Sequence, residues 1–493
     1  MSKSPTVSVC MIVKNEEQNL PRVLSSVKTL ADEIIIVDTG SQDRTVEVAR
    51  NYGARVFHFA WCDDFSAVRN ESIRHARKDY ILWLDADDEV ESEEVPIIKK
   101  HLRKQNGTAV FLRIRNVRPG EIHEFIQLRC FPNAKGIRFK GRIHEQVFSA
   151  LHSKGVPFSH CDGIICHHGY GDESGVRVKL ERNRLILEQE LSDDPADFQT
   201  LFFLSRTLFS LGDKTKAVEY LDRALEIGRG SVDAQQLGIF KVAFLDKAAL
   251  LIGEGHTGEA ISLLEENLSR GEGSDFFKYT LGELYFNTGS YEKAYRMMLP
   301  LQKAAFSRDI LPVNVTAVRS NIEKYLGISA LVVGDLERAE ACLECLLASN
   351  PDDLSHFHYL SLAREKRGDL DGAIRAVVKG LERGEQNGLL RKRLFLLLVE
   401  REDFEGAFEE YDRLNGAGTE TDVLAALFFM SCRLMNGEAI GMYYDLLQDR
   451  LKVPRDVFPE NLPTVRYYVE GLNDPKTSHF FNSAITFLLE QTA

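Results

Sequence analysis

The sequence predicts an α/β nucleotide-binding domain followed by an all-α solenoid of helical repeats, and three observations carry that expectation. Short apolar runs alternate with amphipathic segments through the first part of the chain. One of those runs, Tyr80 to Leu84, leads straight into the carboxylates Asp85, Asp87 and Asp88. From about Gly171 the pattern is helical only, and a turn residue recurs five positions before an alanine.

The elements follow from these patterns in order. Val7 to Val13 reads as a strand, Glu17 to Leu30 as a helix, Glu33 to Val37 as a strand, Asp43 to Tyr52 as a helix, and Ala54 to Phe59 as a third strand. Phe65 to Arg77 then reads as a helix before the strand Tyr80 to Leu84. Such alternation specifies a parallel sheet with helices on its faces. Glu94 to Arg103 gives another helix, and Ala109 to Val117 and Phe125 to Phe131 give strands of a mixed or antiparallel extension. The acids thus sit at the carboxyl end of a buried strand, the edge where open α/β sheets bind ligands. Carboxylates one residue apart can share a divalent cation, and oxygen ligands suit Mg²⁺ or Mn²⁺ carrying a diphosphate. The same acids can instead cap the helix that begins near Glu91.

In the helical part, the pairs are Gly212 and Ala217, Gly255 and Ala260, Gly289 and Ala294, Gly334 and Ala339, and Gly368 and Ala373. A sixth has Glu402 before Ala407, without the glycine. The alanines are spaced 43, 34, 45, 34 and 34 apart. A recurring 34 is the tetratricopeptide period, and a small side chain is needed where the paired helices cross. The two long spacings imply insertions, placed at Asp233 to Gly238 and Phe306 to Ala317. The expected boundaries are residues 1–170 for the α/β domain, 171–194 for a connecting helix, 195–423 for the repeats and 424–493 for a helical cap. The concave face of such a solenoid suits a peptide or protein partner, and its ends or convex face allow a homo-oligomer.

Composition narrows the function classes. The 493 residues carry a net charge of −13, which argues against a general nucleic-acid or anionic-membrane binder. No apolar run approaches the roughly 18 to 20 residues needed to span a bilayer, and the N-terminus lacks an apolar signal segment, so a cytoplasmic location is expected. Eight cysteines without a regular framework read as reduced thiols. Cys342 and Cys345 lie inside a helical repeat, and the spacing of His160, Cys161, Cys166, His167 and His168 matches no common zinc module.

Four segments are decisive together: Ser8 to Glu17, Asp32 to Asp43, Asp63 to Asn70 and Trp83 to Asp88. Joined in this order, they make the first 170 residues or so resemble a family 2 glycosyltransferase, with the nucleotide-sugar-binding fold of the GT-A type. With the repeats behind it, the chain is similar to bacterial glycosyltransferases with tetratricopeptide tails, including those that glycosylate bacteriocin peptides on cysteine. The resemblance implies an inverting, metal-dependent transfer from a nucleoside-diphosphate sugar, with UDP the expected nucleotide and Mn²⁺ or Mg²⁺ the cofactor. The acceptor it implies is a peptide or protein side chain.

The resemblance also implies roles. Val13, Glu16 and Asp38 fall beside the base and ribose, although Asp38 also fits an Asx-turn cap. Arg69 falls near the base or phosphates, or forms an ion pair. Asp85 and Asp87 are the metal and diphosphate residues, and His168 is a third ligand. Asp88 is expected to cap a helix or support the site from behind. In Gly141 to Gln146, Glu145 is the candidate base and His144 the alternative. The Q-x-x-R-W signature of processive synthases is absent, which favours transfer of one sugar to a discrete acceptor. A scaffold with a relic nucleotide site is the competing class; a nucleotidyltransferase would want a Gly-rich, Lys-containing phosphate loop, which does not occur.

Overall fold

The chain is described by a computed structural model covering residues 5–118, 121–169, 173–229, 234–270, 274–304, 314–414, 420–451 and 475–492. By contact it divides into two units, Met1–Thr288 with Pro300–Arg319, and Gly289–Leu299 with Ser320–Ala493. The α/β part opens with β1 (Val7–Val13), α1 (Leu20–Ser26), β2 (Glu33–Asp38), α2 (Thr45–Asn51), β3 (Arg55–His58), α3 (Phe65–Arg74) and β4 (Tyr80–Leu84). It continues with β5 (Asp88–Glu89), α4 (Glu94–Lys104), β6 (Ala109–Arg118), β7 (Glu121–Pro132), α5 (Phe148–His152) and β8 (Phe158–His167). One eight-stranded sheet runs in the order β3-β2-β1-β4-β7-β6-β8-β5.

The four expected strands β1 to β4 are parallel, with β1 between β2 and β4. Their residues alternate between two cores, Val9, Met11, Leu82 and Leu84 on one face and Cys10, Ile35, Ile81 and Trp83 on the other. Burial on both faces is why these segments read as continuous apolar runs. The chain runs from β1 out to β3 and returns to β4 on the opposite side of β1, so the strand order reverses there and leaves a crevice at the carboxyl ends. Val13 pairs with Asp38, and Met11 with Leu84, which places Glu16, Asp38 and Asp85 at one edge.

Beyond β4 the sheet is mixed: β7 is antiparallel to β4 and β6, and β8 runs parallel to β6. Two strands go beyond the sequence reading. β8 extends the sheet beyond β6, and β5 pairs antiparallel with it at the edge through Asp88 and His167. Asp88 therefore lies in a strand rather than at a helix cap, and α4 starts after Glu93. The helix expected over Glu17 to Leu30 is shortened to Leu20–Ser26, with Pro21 in its first turn.

α6 (Glu173–Asp193) leads to helical hairpins: α7 (Phe198–Leu211) with α8 (Lys214–Gly228), α9 (Ala234–Gly253) with α10 (Thr257–Ser269), and α11 (Asp275–Asn287) followed by α12 (Tyr291–Met298). Next come α13 (Val315–Val333) with α14 (Leu336–Ser349), α15 (Ser355–Lys366) with α16 (Leu370–Leu381), and α17 (Gly388–Glu400) with α18 (Phe404–Asp412). α19 (Thr421–Arg433), α20 (Gly437–Leu451) and α21 (Pro475–Thr492) complete the described helices. All six repeat alanines are buried. Gly212, Gly255, Gly289, Gly334 and Gly368 occupy the left-handed region, and Glu402 adopts the same conformation, φ 61°, where the glycine is missing. Met435, φ 54°, does so between α19 and α20. Asp213, Asp335, Asp369 and Asp403 then cap the following helices by accepting from the N–H three residues on.

The long spacings correspond to long first helices, α9 of 20 residues and α13 of 19. Of the insertions expected there, Asp233 and residues 306–313 lie outside the described residues. No helix among the described residues is long and apolar enough to cross a membrane.

A glycine sets the closest approach in the first hairpins. A Cβ on Gly228 would lie 2.6 Å from the Phe240 ring and 2.9 Å from Phe198. Both rings are buried, so neither can yield. Gly228→Ala is expected to destabilise the fold by about 1–3 kcal/mol, read as a lower urea midpoint at unchanged slope.

Candidate functional site

At the edge, Asp38 ends β2 with its carboxylate accepting from the Gly40 N–H at 3.2 Å and the Ser41 N–H at 3.1 Å, with His58 Nδ1 3.2 Å away. It therefore shapes the Thr39–Ser41 turn, and Thr39 ties that turn to the Val13 carbonyl through its N–H and hydroxyl. The Lys14–Glu16 segment is fastened alongside: Asn15, in the left-handed region at φ 56°, accepts from the Gln42 N–H, and the Glu16 N–H donates to Thr45 Oγ1 at 2.7 Å. Burial raises the Glu16 carboxyl above its usual range, Asn19 partly opposes this, and the neighbouring Asp87 adds to it.

A second cluster gathers at the end of β4. Arg69 of α3 donates from one guanidinium NH₂ to Asp85 Oδ1 at 2.7 Å and from Nε to Glu145. Arg129 of β7 reaches Asp85 Oδ2 at 3.3 Å and Asp88 Oδ2 at 3.1 Å. Both guanidiniums lie over the Trp83 ring, 4.2 and 3.9 Å from its centroid. Arg69, Arg129 and Trp83 are all buried. Burial opposes ionisation of Asp85, but the two arginines outweigh it and hold the carboxyl well below the usual carboxylate range.

The third cluster is acidic. Asp87, Asp88 and His167 bring ligand-type atoms within 4.8 Å of one another, the metal-compatible group found among the described residues. His167 Nδ1 is 2.9 Å from Asp88 Oδ1 and 3.4 Å from Asp87 Oδ1. Asp88 is fully buried and also accepts from the Asp85 N–H, so it supports the cluster from behind. Asp87 and His167 keep part of their surface in solvent. Burial raises the Asp87 carboxyl, His167 lowers it, and Asp85 and Asp88 raise it further. The chain crosses this cluster at Gly169, where a Cβ would stand 2.4 Å from Asp87 Oδ2 and 2.7 Å from His167 Nε2. A hard-oxygen and imidazole set with that clearance fits Mn²⁺ or Mg²⁺.

The expected residues therefore separate. Asp87 joins the metal-compatible group, whereas Asp85 is taken up by arginines. His168 turns away, with its Nε2 3.0 Å from Glu89, and its N–H donates to the Asp87 carbonyl. It is His167 that the β5–β8 register brings to the acids. Glu145 joins the cluster through Arg69. The His144 ring stacks on Phe203 at 3.9 Å, and burial, aided by Arg206, pushes its pKa down to about 4. Trp83, Arg129 and His167 were not singled out as site residues from sequence. Arg129, flanked by apolar residues in a strand, carried a signal; His167 was separable from His168 only through strand parity in β8.

Residues 8–161 match the Glycosyl transferase family 2 profile. The N-terminal domain is a family 2 glycosyl transferase domain. Behind the glycosyltransferase domain, residues 198–227 and 326–388 match Tetratricopeptide repeat profiles. A TPR repeat-containing protein of Synechococcus elongatus is 36% identical over 248 residues, 49% of this chain and 62% of that protein. The SPbeta prophage-derived glycosyltransferase SunS of Bacillus subtilis is 30% identical over 234 residues, 45% of this chain and 54% of that protein. The matches thus span a little over half the length of these relatives. A solved structure of S. aureus TarS in complex with UDP-GlcNAc aligns with 54% of this chain and 92% of its own at 15% identity and a TM-score of 0.34.

Asp85→Asn would leave Arg69 and Arg129 buried with one carboxylate fewer. A loss on the order of 2 kcal/mol is expected in chemical denaturation at pH 7. Because the folded-state pKa of Asp85 is depressed, its contribution is complete above the unfolded value of about 3.9 and is lost as pH falls below it. The gap between wild type and Asp85→Asn should therefore close on acidification.

Proposed function

We propose that the protein is an inverting, metal-dependent glycosyltransferase that moves a sugar from a nucleoside-diphosphate sugar, UDP being the expected nucleotide, to a peptide or protein side chain docked on the repeats. The observation that supports this most is the meeting of the Asp87–His167 group with the Arg69–Asp85–Glu145 chain at the carboxyl edge of β4, inside a family 2 glycosyl transferase domain. The Val13–Glu16 segment and the Asp38 turn frame the base and ribose. Asp87 and His167 would hold a divalent cation, whose chemistry would be to supply positive charge against the departing diphosphate. His167 takes the ligand role in this reading because His168 is directed to Glu89.

In the transfer, the acceptor atom forms its bond to the anomeric carbon as the carbon–oxygen bond to the diphosphate breaks, and the bonding pair leaves with the nucleoside diphosphate. The acceptor proton goes to the Glu145 carboxylate. Arg69 holds Glu145 by its Oε1 and Asp85 by its Oδ1, which fixes the base relative to the end of β4. His144 is the weaker base because its ring is stacked and held neutral to about pH 4. The free cysteines suit a reducing, cytoplasmic setting.

Calorimetry with UDP and turnover with UDP-sugars and Mn²⁺ test the reading. Asp87→Ala is expected to remove metal-dependent UDP binding and to lower turnover by at least about a hundredfold. Chelation by EDTA should bring the wild type to the same level, with recovery on adding Mn²⁺. Donor turnover untouched by both treatments would overturn the metal assignment. Glu145→Gln should retain UDP binding while transfer falls by about 10²- to 10⁴-fold.

A further inference from the structure

We propose that the first repeat hairpin is a working part of the active site: Gln199 and Phe203 of α7, with Glu190 of α6, are positioning residues that hold the Gly141–Gln146 turn and thereby set Glu145 beside Arg69 and Asp85. The inference rests on the reading of Glu145 as the base. The turn needs external support because two of its residues, Gly141 at φ 92° and His144 at φ 55°, occupy the left-handed region. For a side-chain-bearing residue that conformation costs about 1–2 kcal/mol and persists only where neighbours over-determine it. The turn's own residues supply two closures, the reciprocal 2.8 Å hydrogen bonds between Lys140 and Gln146 and the donation from Gln146 Nε2 to the His144 carbonyl at 3.2 Å, which Gln199 shares.

The remaining constraints come from two flanks. On the catalytic side, the Phe65 N–H donates to the Arg142 carbonyl and Ser66 Oγ donates to the Gly141 carbonyl at 2.6 Å. Asn70 exchanges two hydrogen bonds with the backbone of Phe139 just upstream. On the repeat side, Glu190 accepts from the Arg142 N–H at 2.9 Å, and Gln199 Nε2 donates to the His144 carbonyl at 3.0 Å. The Phe203 ring stacks on His144 with planes 14° apart, and Ile143 is buried among Ile186, Leu187, Leu204 and Leu208.

The strained residue, His144, is therefore held from α7 both by its carbonyl and by its ring, and it immediately precedes Glu145. A neutral ring stacks there without a buried charge to desolvate. Glu145 is thus fixed at two points: its carboxylate by Arg69 from α3, and its backbone, one peptide away, by α7. The helix pair that opens the docking solenoid is in this way tied to the residue that receives the acceptor proton.

The test uses the full chain carrying Gln199→Ala, Phe203→Ala, both together, and the ring-preserving Phe203→Tyr. The alanine variants are expected to bind UDP with Mn²⁺ within about twofold of wild type while transfer kcat falls by about 10- to 100-fold, the scale of a misplacement near 1 Å. Backbone amides of residues 143–146 should exchange hydrogen about tenfold faster in these variants, and Phe203→Tyr should stay near wild type in both measurements. Unchanged amide exchange, or a loss of donor binding in step with kcat, would overturn the proposal. Should Phe203→Ala not fold, Gln199→Ala alone decides, since its side chain is half-buried and leaves the α7 core intact. If Glu145→Gln transfers at the wild-type rate, the base assignment fails, while the exchange result still judges whether α7 holds the turn.

Discussion

The rest of the site depends on how the charge at the end of β4 is compensated. A strand buried on both faces delivers Asp85 to a partly buried position, its side chain 31% exposed, where burial disfavours the ionised carboxylate. Two buried guanidiniums, from α3 and β7, meet it there, and both lie against the ring of Trp83, the last large residue of the same strand face. Because Arg69 also grips Glu145 and Arg129 also grips Asp88, one ion-pair set ties the parallel half of the sheet, the antiparallel half and the 141–146 turn together. Such a set is weak evidence for net stability, since desolvating each charge offsets much of the attraction. Its contribution is to fix where the functional groups stand.

With Asp85 and Asp88 occupied in this way, Asp87 is the member of the acidic triplet left facing the cleft beside His167. The alternation of burial along Asp85 to Val90 leaves Asp85 and Asp87 both partly exposed and buries Asp88, and it is the two arginines that take up Asp85. Gly169 then permits the chain after β8 to pass over the two groups without filling the space between them. The backbone requirement at Gly169 and the charge arrangement beneath it are two sides of one constraint, because a Cβ there would run into Asp87 and His167.

The glycosyltransferase domain and the first hairpins are not independent pieces in packing terms. Glu190, Gln199 and Phe203 belong to helices that sequence reading assigns to the connection and the repeats, yet all three touch the turn that carries Glu145. Repeat helices normally contact only their neighbours in the stack. Here the first of them has the 141–146 turn as its neighbour.

Periodicity by itself determined the architecture. The short length and apolar content of the doubly buried strands set them apart from the longer amphipathic helices, and the alanine spacing identifies helix pairs, because burial and close crossing each impose a local residue type. The placement of Asp38, Asp85 and Asp87 at one edge was legible for the same reason: strand ends in a parallel sheet share an edge. Long-range pairing decided which groups those residues meet. The β5–β8 register selects His167 over His168, the antiparallel return of β7 introduces Arg129, and packing of α7 on the turn stacks His144 against Phe203. None of these pairs is close in sequence. A one-residue shift in strand register exchanges the face a side chain meets, so only the folded chain could settle them.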